Sequence, residues 1–508
     1  MKHKKSIGML LVVCMMMFAY GCGKKEAGTN NVNATAPSES EVLTEDLGIA
    51  GVYGELYETE SSGSGLVYLE GISEEETVRL TANVTGEMTK PEFWMGSSAG
   101  TIIMTQEQIR EFNRKMMDQF APAQVMFDLQ NMKSTISGNY VKQLIEGFSI
   151  PARNYYYVEG EKLTADFQNE IASQRNLSAV QGQITIRYGI AVDRTDIRAF
   201  PTEKLVTDNA RNLYYDIFQN SELFISEPVA ILHTSLNGEW FFVFSDRSFG
   251  WVKADTVALC GDKEQWLQWQ KDENVLVVTG KRVTLDKNPY EPGISQTVLT
   301  MGSVLQIASE EEVTKVDYDR VPYGCITVKL PVRNEEGYLD TTYAYIPMGE
   351  DISFGYLDYT EENILKQSFK MLGTTYGWGG ILDVTDCSGY TYQVYRCFGF
   401  RFPRNSGQQA SIPGTRYNIS KKTSAEKKTV LDQLPPGSLL RFPGHMMMYL
   451  GQRNGKYYVI SALSNFVPED AETNEAIHPR SIMINTLDVR RLDGTTWLDN
   501  LTTICVIN

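Results

Sequence analysis

Two short stretches decide how the chain reads, Tyr376-Gly377-Trp378-Gly379-Gly380 and, just after it, Asp386-Cys387-Ser388-Gly389. The first is a glycine-rich loop. The second opens a helix expected from about Asp386 to Phe398 and puts a cysteine in its first turn, where unpaired backbone N–H groups favour the thiolate, the nucleophilic form. Asp386 works against that charge, so it either caps the helix or has a cation of its own. Upstream, Thr360 with Glu361 and Glu362 supplies a cap and first-turn acids for a helix carrying Ile364, Leu365, Phe369 and Leu372 and stopped at Gly373. Downstream, strands are expected near 438–442, 446–450 and 457–462. Helices followed by an antiparallel sheet is an α+β order, and residues 353–508 read as one domain.

A cysteine nucleophile needs a base. Beyond the first 21 residues the chain has His233, His445 and His478. His445 follows Pro443-Gly444 and opens the strand Met446-Met447-Met448-Tyr449-Leu450, a rigid element able to fix an imidazole beside the Cys387 helix. His233 falls in a β-rich stretch and His478 in a loop. Cys260, Cys325, Cys397 and Cys505 read as small buried hydrophobes, and with Cys387 they make an odd number, widely spaced, which is not a disulfide framework. With no paired cysteines at ligand spacing and no His-Glu-x-x-His helix, no metal or cofactor is expected.

Taken in this order, Tyr376 to Gly380, Asp386 to Gly389, Gly444-His445 and Tyr449-Leu450-Gly451 resemble the NlpC-type papain-like peptidases of bacterial cell walls, from about residue 355 to 508. Upstream, Tyr188-Gly189-Ile190, Arg198 to Thr202, Asp216 with Gln219, and Pro228 to Val252 resemble the branch of that family carrying a helical N-terminal clip and two bacterial SH3-like barrels. The resemblance implies a peptidoglycan stem-peptide hydrolase, a γ-D-glutamyl-L-diamino-acid endopeptidase acting on muropeptides with a free N-terminal L-Ala. It implies Cys387 as nucleophile and His445 as base, with Asp386 and Ser388 holding the substrate's α-amine and Tyr376 near the developing oxyanion. The SH3-like barrel next to the catalytic domain would narrow the cleft and exclude intact, amide-linked strands. At the third catalytic position the family has His, Asn or Gln. Alignment through Val459-Ile460 puts Ser461 there, a plain hairpin about Asn454-Gly455 puts Ser464 opposite His445, and Asn465 is a third candidate.

The other segments agree with this class. The chain has 508 residues, 42% hydrophobic and 22% charged, with a formal net charge of −16, enough for three or four domains and poorly suited to binding a phosphate backbone, so no nucleic-acid partner is expected. Lys2, Lys4 and Lys5 precede an apolar run from Ile7 to Tyr20 that ends Ala19-Tyr20-Gly21-Cys22, the layout of an export signal. It resembles a lipoprotein signal in which Cys22 becomes the acylated N-terminus, anchoring the protein outside the cytoplasm by lipid alone. Residues 22–65 read as a flexible tether closed by Ser61-Ser62-Gly63-Ser64-Gly65. Thr105-Gln106-Glu107-Gln108 has capping-box spacing before Ile109, Phe112, Met116 and Phe120, and a helical reading continues to about Asn176 within a clip-like region, 66–205. Short alternating runs with turn residues then predict two small barrels, 206–265 and 266–352, against the alternative of a single irregular β domain. The whole is an α+β multidomain chain. Two other functions stay open: a wall-binding lipoprotein whose peptidase fold has decayed, and acyl transfer to an amine by the same thiolate.

Overall fold

The computed structural model describes residues 78–150 and 156–508. The expected export signal with Cys22, the expected tether and the start of the expected clip-like region lie outside the described residues.

The helix Gln106–Phe120 begins with the expected capping box and buries Ile109, Phe112, Met116 and Phe120. That face lies against the C-terminal domain. Phe112 meets Phe400 edge-on at 5.4 Å, and Asn113 donates to the Gly399 carbonyl at 2.8 Å while accepting from the Arg401 N–H at 3.0 Å. The helical reading then breaks: Gly138–Gly147 and Ala165–Gln174 are helices, but Thr135–Ser137, Tyr157–Val158 and Glu161–Lys162 are strands. A β-prone Tyr157-Val158 pair followed by Gly160 at φ +89° makes a hairpin where a helix could not continue.

Seven strands form the next sheet, ordered Val257–Leu259, Arg187–Ala191, Pro228–Thr234, Trp240–Phe244, Phe249–Lys253, Thr195–Arg198 and Gln219–Leu223. Its first two strands in sequence precede residue 206, so the sheet starts ahead of the boundary drawn from sequence, because Arg187–Ala191 is a central strand paired on both sides. Trp240 to Phe244 is buried throughout. Phe241 and Val243 fill the interior with Val229, Ile231 and Val252, while Trp240, Phe242 and Phe244 pack outward with Val141 and Ile145 of the helix Gly138–Gly147. A strand covered on both faces needs a continuous apolar run, which is what the sequence has. Residues 275–354 make a second β unit of three small sheets around Leu276, Val278, Leu299, Leu305, Val328 and Ile346.

The C-terminal domain places the helix Cys387–Arg396 against a six-stranded sheet, ordered Thr415–Asn418, Thr503–Val506, Leu439–Phe442, His445–Arg453, Lys456–Leu463 and Ser481–Thr486. Met446, Met448, Ile460 and Ala462 face the helix; Met447, Tyr449 and Val459 form a second core on the other side. Among the described residues no helix is long and apolar enough to cross a membrane.

Candidate active site

Cys387 is the first residue of its helix, and Asp386 is the cap, accepting from the Gly389 N–H at 2.8 Å and the Gly379 N–H at 3.0 Å. The cation expected beside Asp386 comes from the chain itself. Arg404 clamps both carboxylate oxygens, at 3.1 and 2.8 Å, and donates to the Ser388 hydroxyl at 3.1 Å and, through Nε, to Ser221 at 3.1 Å. Burial alone would raise the Asp386 pKa, but this guanidinium and the backbone donors hold it below the usual carboxylate range. Asp386 and Ser388 are therefore already engaged, where the resemblance had left them for a substrate amine.

The thiol is buried, and this overturns the expectation of a resting thiolate. Burial, then the neighbouring Asp386 charge, push Cys387 up to about 12, outweighing hydrogen bonds from the Met446 and Ser388 backbone and the pull of Arg404. Burial likewise pushes His445 down to about 3, with Asp386 opposing. Near neutral pH both shifts favour a thiol beside a neutral imidazole.

His445 opens the strand whose next residue, Met446, reaches the thiol through its backbone. Its Nε2 lies 3.1 Å from the Ser461 hydroxyl, and its ring sits against Trp497 at 5.0 Å and Phe442 at 5.4 Å. The hairpin extrapolation to Ser464 fails because of a bulge at Leu450: the pairs 453–456 to 451–458 keep one register, and Tyr449–Val459 and Met448–Ile460 are shifted by one residue. Carried outward, the shifted register sets Leu463 across from His445 and leaves Ser461 as its same-face diagonal neighbour. Ser464 is half-buried and Asn465 exposed. His233 instead meets the carbonyls of Arg175 and Asn176 at 3.2 Å, and His478 is exposed. All five described cysteines are free, and burial raises Cys260, Cys397 and Cys505.

Tyr376 is buried, and a bridge to Thr385 closes the glycine loop beneath it. Burial, with Cys387 and Asp386 nearby, raises its pKa far above normal, so it remains a hydrogen-bond donor. The loop is shaped by the first β module. A Cβ on Gly379 would lie 2.5 Å from Gln219 Cγ, and one on Gly380 2.4 Å from Glu222 Oε2, with both backbones at positive φ. Gln219 donates to the Gly379 carbonyl at 3.2 Å, Trp378 Nε1 to the Gln219 carbonyl at 3.2 Å, and Arg194 to the carbonyls of Gly380 and Val384 at 2.6 and 3.0 Å. Further along the interface Glu227 is buried between Arg247 and Arg396.

Residues 373–506 match the NlpC/P60 family, and residues 207–253 match the SH3 domain (SH3b1 type). The chain thus carries an NlpC/P60 cysteine-peptidase domain and an SH3b domain. This NlpC/P60 chain is 28% identical over 122 residues to a γ-D-glutamyl-L-lysine dipeptidyl-peptidase of Bacillus subtilis, covering 23% of this chain and 37% of that one. It is 25% identical over 238 residues to dipeptidyl-peptidase 6 of Lysinibacillus sphaericus, covering 46% and 76%. The matched segment thus spans little more than a third of the Bacillus relative. An NlpC/P60 endopeptidase from Photobacterium damselae subsp. piscicida shares the fold, with a TM-score of 0.66 and 18% identity over 85% of this chain and 98% of that one. Nothing local in the sequence marks Glu222 or Arg194, and Arg404, one of two arginines in the stretch Phe400-Arg401-Phe402-Pro403-Arg404, carries no pattern that ties it to Asp386.

Proposed function

We propose that this NlpC/P60 peptidase cleaves peptidoglycan stem peptides at the bond between γ-D-Glu and a diamino acid, with Cys387 as nucleophile, His445 as base and Ser461 orienting the imidazole. The observation that carries the reading is the placement of Cys387 at a helix start against the strand of His445, whose Nε2 is engaged by Ser461 at 3.1 Å. With Nε2 so engaged, Nδ1 takes the thiol proton as sulfur attacks the γ-carbonyl. It returns that proton to the leaving amine, and water releases the acyl group. Tyr376, still protonated, is the side-chain donor for the developing oxyanion. The activities of the similar dipeptidyl-peptidases of Bacillus subtilis and Lysinibacillus sphaericus support the substrate class. Asp386 and Ser388 remain the proposed anchor for a free substrate amine, and Glu222, a buried carboxylate 3.6 Å from Arg404 whose oxygens accept no hydrogen bond, is a further acceptor for it. The substrate places the protein outside the cytoplasm, and acylation at Cys22 would keep it at the membrane surface.

Mass spectrometry of L-Ala-γ-D-Glu-diaminopimelate after incubation tests this. Release of L-Ala-D-Glu by wild type and none by Cys387→Ala is expected. Binding without turnover by both would favour the wall-binding alternative, and products with a new amide bond would favour acyl transfer.

A further inference from the structure

The arginines buried around the catalytic centre have acidic partners: Arg404 pairs with Asp386, Arg247 and Arg396 with Glu227, Arg198 with Asp216, and Arg194 with Asp383. Arg441 is different. It is half-buried and among the described residues its side chain forms no ion pair, while its Nε, like those of Arg194, Arg198 and Arg247, is shielded from solvent with no hydrogen-bond partner. Its place is fixed on the strand Leu439–Phe442, two residues before the Pro443-Gly444 turn, with its carbonyl held by the Thr502 N–H at 2.9 Å and hydroxyl at 3.1 Å.

That place adjoins the nucleophile. Arg441 pairs across the hairpin with Met446, the residue whose N–H reaches the Cys387 thiol, and cross-strand partners share a sheet face. Met446 and Cys387 belong to one core cluster, so the Arg441 side chain leaves the sheet on the side of the nucleophile helix. There its guanidinium lies against Gly407, whose Cβ position is 3.5 Å from Nη2 and 3.9 Å from Cζ. Gly407 belongs to the short helix Ser406–Gln409, and Gln409 holds the Ser388 carbonyl at 2.9 Å. A planar cation without a counter-charge is thus fixed between the His445 hairpin and the segment bracing the nucleophile helix.

A partly desolvated guanidinium is stabilised by an anion that takes two of its N–H groups at once. The described residues offer none, and the sequence pattern gives no structural reason for a charge there, since Leu439, Leu440 and Phe442 around it are apolar and buried. We propose that Arg441 forms a carboxylate subsite, binding an acidic group of the substrate next to the scissile bond. This rests on the stem-peptide reading above and narrows it. Two carboxylates of such a peptide lie close enough to the bond: the α-carboxylate of γ-linked D-Glu, and the side-chain carboxylate that diaminopimelate has and lysine lacks.

Four peptides separate the sources: L-Ala-γ-D-Glu and L-Ala-γ-D-isoGln, each joined to meso-diaminopimelate or to L-Lys. The full-length protein is compared with Arg441→Gln and Arg441→Lys, each checked for an unchanged melting temperature. Wild type should favour the peptide bearing the recognised carboxylate by about 10- to 100-fold in kcat/KM, the range of one charge-assisted pair. Arg441→Gln should collapse that ratio toward one, and Arg441→Lys should restore part of it. Loss of the D-Glu over isoGln preference identifies the first source, and loss of the diaminopimelate over lysine preference the second. Equal loss on all four peptides, or a wild type without preference, overturns the proposal. Calorimetric binding of the same peptides to Cys387→Ala, with and without Arg441→Gln, separates this from failure of the catalytic reading. Arg441-dependent binding of the carboxylate peptide without turnover keeps the subsite and removes the activity, and Arg441-independent binding removes the subsite.

Discussion

Alkylation of Cys387 by iodoacetamide should rise about tenfold for each pH unit from 5.5 to 9.5, without a plateau. The reason lies in the site: the thiol is pushed up to about 12 by burial and Asp386, and His445 is pushed down to about 3, so neither carries the charge that would hold the other ionised. Against a free cysteine near 8.5, a shift of about 3.5 units leaves roughly 3,000-fold less thiolate at pH 7.5. The more basic thiolate is the better nucleophile, and a Brønsted slope of about 0.4–0.5 returns roughly 40-fold. The net expectation is a rate about 100-fold below that of a free cysteine. The assay is peptide mass spectrometry of the fragment containing Cys387, timed at each pH. A flat rate between pH 5 and 8 would mean a resting thiolate–imidazolium pair and would refute the argument, because it requires the two shifts to have the opposite sign.

Other outcomes follow from the same geometry. Arg404→Met strands Asp386 and Glu222 as buried neighbouring carboxylates and should lower stability by about 3–5 kcal/mol in urea unfolding; a loss below about 1 kcal/mol would contradict the clamp. Ser461→Ala removes one neutral hydrogen bond to the imidazole, so kcat/KM on a cleaved peptide should fall about three- to tenfold, and a 1,000-fold loss would give Ser461 a larger role. His445 takes up a proton below about 6.5 when unfolded and only near 3 when folded. Its contribution is therefore complete above pH 6.5 and declines by about 1.4 kcal/mol per unit as pH falls toward 3, a slope that His445→Gln should remove from the urea midpoints. Gly380→Ala sets a Cβ against Glu222 at positive φ and should cost about 1–3 kcal/mol, seen as a lower melting temperature.

The parts of this molecule that sequence exposes are those with local causes. The capping box at Thr105, the apolar run of Trp240 to Phe244 and the cysteine after Asp386 each act through neighbours within a turn or a strand. The misses have distant causes. A helical reading runs through Tyr157-Val158 because nothing local announces their pairing with Thr207 and Val206. The register error at Ser464 came from one bulged residue, and a one-residue slip moves every side chain to the other face. The thiolate expectation used the helix terminus and left out burial, which only tertiary structure supplies. Arg404 lies beyond the nucleophile helix, where no periodicity ties it to Asp386.

Gly379 and Gly380 carry no side chain because Gln219 and Glu222 stand where one would be. Two modules that each look separable have thereby been fitted to one another at single-atom spacing. A lineage that exchanged its SH3b domain for another would inherit a nucleophile loop bent around a vanished neighbour, with Trp378 losing the carbonyl it donates to. Descent should therefore move these residues as a linked set, and shuffling of the peptidase portion alone should leave behind chains in which the glycines have drifted to ordinary residues.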